Sequence, residues 1–463
     1  MENSYLISGG RILDPGQGFD LIGDLFIENG RINSIGQVGT IQNQSKQCPI
    51  VDATGLVVTP GFIDLHTHLR DPGFEDKETV LTGSIAAAKG GFTTICAMPN
   101  TNPSIDTVAV VRDILAKAEL AGRARLLPIG CVTKGREGQE LTDMGELADA
   151  GVIAFSDDGD PVFDPYLMRM ALTYSAPLGL PIINHCQDLD LSRSGVLHEG
   201  WVASRLGLKA IPSQSEEIMV ARDIELAALT GGRLHLAHLS TSGSLDLVRA
   251  AKQRGLPVTA EVTPHHLVLT QEWALGIDKS KFIDGAMVDQ FSALSDASYD
   301  TQAKVNPPLR SFTDITDMVS GLRDGVIQAI ATDHAPHSSQ DKQCTFQEAA
   351  FGISGLETAF ALSMVLVHRG EIDLPTLIER LTVGPSRILP KAYEGLGTLM
   401  PGTMGDVTMF DPKANWVVDT SEFASKGHNT PLEGVSLRGR IVATLLEGKF
   451  TFGEDALEIK PSK

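Results

Sequence analysis

The sequence predicts an α/β chain, a (β/α)8 TIM-type barrel with a small β-sandwich formed by both termini. Three observations predict it. The centre of the chain alternates eight apolar, strand-like runs with amphipathic helical stretches. Polar residues collect at the C-terminal ends of those runs, the face on which such barrels build their sites. The two ends of the chain share a different texture, short strands and turns, with GGRIL near the start and RGRIV near the end.

In chain order, residues 1–58 are expected to form the N-terminal part of the sandwich, where Asn29-Gly30 marks a hairpin because both positions tolerate positive φ. Residues 59–397 form the barrel. Its strand candidates are GFIDLHTH, FTTICAMPN, RLLPIGCVT, VIAFSDD, PIINHC, RLHLAHLS, PVTAEVTPHH and VIQAIATDHAP. Helical stretches such as VRDILAKAELAG and EEIMVARDIELAALTGG follow most of them. Runs this apolar suit strands buried on both faces of a parallel sheet. Residues 398–463 return to short strands and complete the sandwich. The stretch 277–304 is polar, rich in Ser and Asp and aperiodic, so a functional or mobile loop is expected there.

Bulk properties narrow the function. The chain has 463 residues, with 38 Lys and Arg against 58 Asp and Glu, for a net charge of −20. Such a surface repels phosphate backbones and anionic membranes, so neither nucleic acid nor membrane is an expected partner. An anionic substrate would need local positive charge. The five cysteines are widely spaced and form no C-x-x-C pair, which suits reduced thiols in a cytoplasm. The N-terminus shows no basic region followed by a long apolar run.

The chemistry sits at the strand ends. His66 and His68 close the first strand, two residues apart, so both imidazoles point the same way. Asp64 points that way one pleat deeper. His185, His238 and Asp333 close three later strands. Four imidazoles and a carboxylate suit Zn2+, and also Mn2+ or Co2+. A second cation needs a shared anion, for which the fourth strand offers Asp157 or Asp158; the alternative for either is to cap the following turn. His235 faces away from His238. His265 and His266 are expected at the rim at the end of strand seven, and His198, His368 and His428 on the surface.

Taken together, GFIDLHTHLRDPG, AMPNT, FSDDG, NHCQD, HLAHLST, TPHHL, KVNPPLR and ATDHAPH resemble the bacterial-type dihydroorotases of the amidohydrolase superfamily, over about residues 55–405. The resemblance implies one or two Zn2+ per subunit. It implies that His66, His68 and Asp333 hold the more buried ion, that His185 and His238 hold the second, and that Asp158 bridges them. It implies substrate contacts from His68, Arg70, Asn100, Asn306, His337 and the Phe351–Gly352 segment, with Asp333 moving the catalytic proton. The reaction implied is reversible cyclisation of N-carbamoyl-L-aspartate to L-dihydroorotate in pyrimidine synthesis, by a water activated on the metal. A homo-oligomer is expected, and association with aspartate transcarbamoylase is a further expectation. The polar stretch before Asn306 is longer than the family pattern, which would displace Asn306 or build a lid.

Two other readings compete. A hydantoinase, dihydropyrimidinase or allantoinase would share the fold and H-x-H, but those enzymes typically carry a bridging lysine that the FSDDG segment lacks. A metal-free structural partner of aspartate transcarbamoylase would be expected to have lost ligands, and none is lost here.

Overall fold

The computed structural model describes residues 3–41, 48–277, 279, 282–283, 286–287 and 298–460. Seven barrel strands are Phe62–Thr67, Phe92–Ala97, Arg125–Pro128, Ile182–Asn184, Leu234–Leu236, Val258–Val262 and Ala329–Ile330. Every neighbouring pair among them is parallel. The fourth predicted run does not become a full strand. Only Phe155 bridges in parallel, to Gly130 on one side and Ile182 on the other. The reason lies just beyond it: Asp157 turns away to accept hydrogen bonds from the Val132 and Thr133 amides at 2.9 and 3.0 Å, so the run leaves the ladder. A bridge between Thr67 and His334 closes the ring, with the His68 amide donating to the His334 carbonyl at 2.8 Å.

Both faces of the sheet are covered. Every residue of the first two strands is buried. Phe62, Phe92, Leu126 and Leu234 pack outward against the helices, among them Val108–Ala121, Gln214–Thr230 and Ala359–His368. Ile63, Leu65, Met98, Leu127, Ile183 and Ala329 fill the barrel interior. Helix starts are fixed by caps: Thr79 with Thr82 forms a capping box, and Thr241 and Thr263 accept from the Ser244 and His266 amides. The last of these corrects the sequence reading. His265 and His266 lie in the short helix Pro264–Val268, which Pro264 starts, rather than at a strand end.

Among the described residues the two ends of the chain make one nine-stranded sheet. Val57–Pro60 is its joint: it runs parallel to Tyr5–Asp14 and antiparallel to Val407–Val417. Because Tyr5–Asp14 pairs with three strands, the sheet splits and folds over its own core of Ile7, Leu25, Val58, Met409 and Leu445. This sandwich is tied to the barrel by Arg125, whose guanidinium meets Asp406 at 2.6 Å and Glu447 at 2.9 Å. Most of the 277–304 stretch, the expected lid, lies outside the described residues. Among the described residues no helix is long and apolar enough to cross a membrane.

Candidate metal centre and active site

The strand ends bring together residues that are up to 267 positions apart in sequence, from His66 to Asp333. The ring centroids of His66 and His68 are 5.2 Å apart, those of His66 and His238 5.0 Å, and those of His185 and His238 4.7 Å. Asp158 lies between them. Its Oδ2 is 3.4 Å from Nε2 of both His66 and His68, and its Oδ1 is 3.5 Å from His238 Nε2 and 3.7 Å from His185 Nδ1. Asp333 Oδ1 joins the first pair, 3.0 Å from His68 Nε2 and 3.5 Å from His66 Nε2. Two ligand sets thus share one carboxylate: His66, His68 and Asp158, and Asp158, His185 and His238. Asp157, the other candidate bridge, caps the turn at Thr133 instead.

The outer nitrogens decide what this cluster can hold. His66 Nδ1 donates to Glu261 Oε1 at 2.9 Å, His68 Nδ1 to Asn100 Oδ1 at 2.8 Å, and His185 Nε2 to Gln187 Oε1 at 2.9 Å. Each ring therefore turns a lone pair inward, toward two carboxylates. Among the described residues, buried His66 Nε2 and Asp158 Oδ1 have no hydrogen-bond partner. Acceptors converging on acceptors in a buried space call for a cation, and nitrogen and carboxylate donors without thiolate suit Zn2+ or a similar divalent ion.

Burial alone would raise the Asp333 and Asp158 carboxyls. The imidazoles packed around them outweigh it, His68 and His66 beside Asp333 and His66, His238 and His68 beside Asp158. Both are held well below the usual carboxylate range. Glu261 is pulled down to about 2 against its own desolvation, because His235 and His66 each donate to one of its oxygens.

Backbone strain marks the same places. Arg70, His238 and Asp333 have φ of 61°, 31° and 47°, a left-handed region that residues with a Cβ rarely enter. Each lies two or three residues beyond a strand end, so the chain is bent sharply where it leaves the barrel wall.

The predicted substrate residues ring this cluster. Arg70 is half-buried with its Nε 3.4 Å from the Pro336 carbonyl, and among the described residues it has no carboxylate partner. Desolvation lowers its guanidinium to about 10, partly offset by Asp333 and Asp158. Asn100 orients His68. Asn306 Nδ2 donates to Gln187 Oε1 at 2.8 Å, beside His185. His337 donates from Nε2 to the Phe351 carbonyl at 2.8 Å, and among the described residues its Nδ1 has no hydrogen-bond partner. Gly352 has φ of 139°, and an added Cβ would lie 2.7 Å from that of Ala335, so only glycine fits. Its N–H is committed to the Lys304 carbonyl at 3.0 Å.

Asp64, one pleat deeper, accepts from the Thr332 amide at 3.0 Å and from its hydroxyl at 2.6 Å, and so ties the first strand to the segment that follows the last. Two surface expectations need correcting. His198 is not a free surface residue, since Arg310 Nη1 donates to its Nδ1 at 3.2 Å, and His368 is half-buried. Sequence reasoning missed Glu261, Gln187 and Asn429. The last holds the His337 loop, accepting from the His337 amide at 2.8 Å and donating to the Ala335 and Gly352 carbonyls at 3.0 Å each. Gln187 carried a signal, lying two residues after His185.

Comparison with known proteins places this geometry. Residues 55–244 match a family described as Dihydro-orotase-like. A dihydroorotase from Anaeromyxobacter dehalogenans is 47% identical over 457 residues, covering 98% of this chain and 99% of that one. The chain belongs to the dihydroorotase family. A dihydroorotase from Geobacter metallireducens is 44% identical, with 97% and 99% covered, and one from Pelotomaculum thermopropionicum 46%, with 96% and 97% covered. Among solved structures, the L-hydantoinase from Arthrobacter aurescens superposes with a TM-score of 0.81 at 22% identity over 96% of this chain and 95% of that one. Dihydropyrimidinase from Brevibacillus agri superposes at 0.76 and 20%, over 96% and 94%. These likenesses show the fold.

Proposed function

We propose that the chain catalyses the reversible cyclisation of N-carbamoyl-L-aspartate to L-dihydroorotate, the ring-closing step of pyrimidine synthesis, with Zn2+ held by His66, His68 and Asp333 and by His185 and His238 across Asp158. The observation that carries the metal assignment is the set of inward lone pairs, fixed by Glu261, Asn100 and Gln187, facing the Asp158 and Asp333 carboxylates. A divalent ion bound there supplies Lewis acidity, lowering the pKa of water and polarising a carbonyl.

The chain's own residues do the rest. Arg70, charged and without a carboxylate partner among the described residues, pairs bidentately with the substrate's α-carboxylate and offsets the −20 background. Asp333, 3.0 Å from His68 Nε2, is the carboxylate placed to carry the proton. In ring opening its carboxylate takes the proton of the attacking water and delivers it to the departing ring nitrogen; ring closure reverses the transfer. Asn306, His337 and the Phe351–Gly352 segment line the substrate side of the same pocket.

The test is turnover of dihydroorotate, hydantoin and allantoin side by side on enzyme of measured metal content. Dihydroorotate is expected to exceed the others by several orders of magnitude. Comparable turnover of hydantoin, or none of any substrate with metal bound, would overturn the reading.

A further inference from the structure

Two fully buried lysines sit behind the pocket wall with no role in the chemistry above. Lys304 and Lys342 are each 2% exposed, and among the described residues neither has a carboxylate partner. Carbonyls surround them instead. Lys342 Nζ donates to the carbonyls of Thr301 and Lys304 at 3.1 Å each and of Ala350 at 2.7 Å. Lys304 Nζ donates to those of Phe346 and Gln347 at 2.8 and 3.0 Å, and lies 4.4 Å from the centre of the Phe351 ring. Burying an ammonium is costly, and a methionine would fill the same space without that cost. What an ammonium adds is several hydrogen bonds radiating from one point.

Those bonds join two segments. One, 301–306, carries Asn306 two residues beyond Lys304. The other, 342–352, carries Phe351 and Gly352. Further bonds run the same way: the Thr301 hydroxyl donates to the Lys342 carbonyl at 2.7 Å, and the Gly352 amide to the Lys304 carbonyl at 3.0 Å. His337, bonded to the Phe351 carbonyl, is held through the second segment. We propose that Lys304 and Lys342 are positioning residues whose ammonium groups clamp the Asn306 segment to the Phe351–Gly352 segment and thereby set the spacing of the substrate contacts. The proposal rests on the reading that these contacts face the substrate.

The test compares Lys304→Met, Lys342→Met and Thr301→Val with Asn306→Ala, reading KM and kcat for dihydroorotate, metal content, and amide exchange of 301–306 and 346–352. Either lysine variant is expected to raise KM about tenfold or more, with kcat at saturation within about threefold and metal content unchanged. Exchange speeds up in both segments together. Thr301→Val, which loses one neutral bond, gives a smaller rise. If Lys342→Met does not fold, Lys304→Met and Thr301→Val carry the test. Unchanged KM in folded lysine variants, even with lowered thermal stability, overturns the proposal. Unchanged KM in Asn306→Ala instead removes the underlying reading, whereas a raised KM there with normal lysine variants sinks only the clamp.

Discussion

Glu261 holds His66 Nδ1 with one oxygen and His235 Nε2 with the other, at 2.9 and 3.0 Å, and so fixes which nitrogen His66 turns toward the cluster. Glu261→Gln keeps the shape but lets the amide present a donor to His66, so metal affinity should fall about 10- to 100-fold, measured by competition with a chelator. Asp333→Asn removes the group that takes the proton. Turnover should become undetectable while metal content stays near normal; a variant retaining most activity would defeat the shuttle assignment. Arg70→Met should raise KM for dihydroorotate about 100-fold or more, as loss of a charge-assisted pair predicts, and leave a neutral cyclic amide unaffected. His66, His68, His185, His238 and Asp333 were legible because each closes an apolar run, where side chains face the barrel mouth. Glu261 was not. It is a single acid inside PVTAEVTPHH, and its partner His66 lies 195 residues away and meets it only once the barrel closes.

The loop that presents His238 is held from behind by a buried polar cluster. Glu216 accepts from the Ser240 and Thr241 amides at 3.1 and 3.2 Å, and Arg310 donates from Nε to Ser240 Oγ at 3.0 Å. Arg310 also donates to His198 Nδ1, which must be unprotonated to accept. Burial first, then Arg310, lowers His198 to about 4 from its ordinary 6.5. As pH falls, the unfolded chain therefore takes up this proton before the native one. The stability involved is present above pH 6.5 and is lost as pH falls toward 4. His198→Gln keeps an acceptor without a proton to gain, so its urea-unfolding stability should fall less steeply across that window, by about one bound proton. An identical slope in both proteins would place the acid sensitivity elsewhere. Strands and helices were readable from their periods. The fourth strand misled, because VIAFSDD has the composition of a strand while Asp157 finds better partners in the neighbouring turn.

Across the molecule, the barrel and the terminal sheet are coupled through Arg125, which is 17% exposed and faces Asp406, 7% exposed. Arg125→Met leaves that carboxylate buried without its cation, and should cost about 3 kcal/mol in unfolding free energy. Glu447, more than half exposed, contributes little to this. The two-ended origin of the sheet was legible in the matching texture of the termini, but its pairing was not, since strand register depends on partners that no local pattern names. That pairing has a consequence during synthesis. Val57–Pro60 emerges from the ribosome early, yet its antiparallel neighbour, Val407–Val417, is made some 350 residues later. Until then one of its edges stays open, so a nascent chain stalled short of that neighbour is a natural client for chaperones that shield unpaired strands.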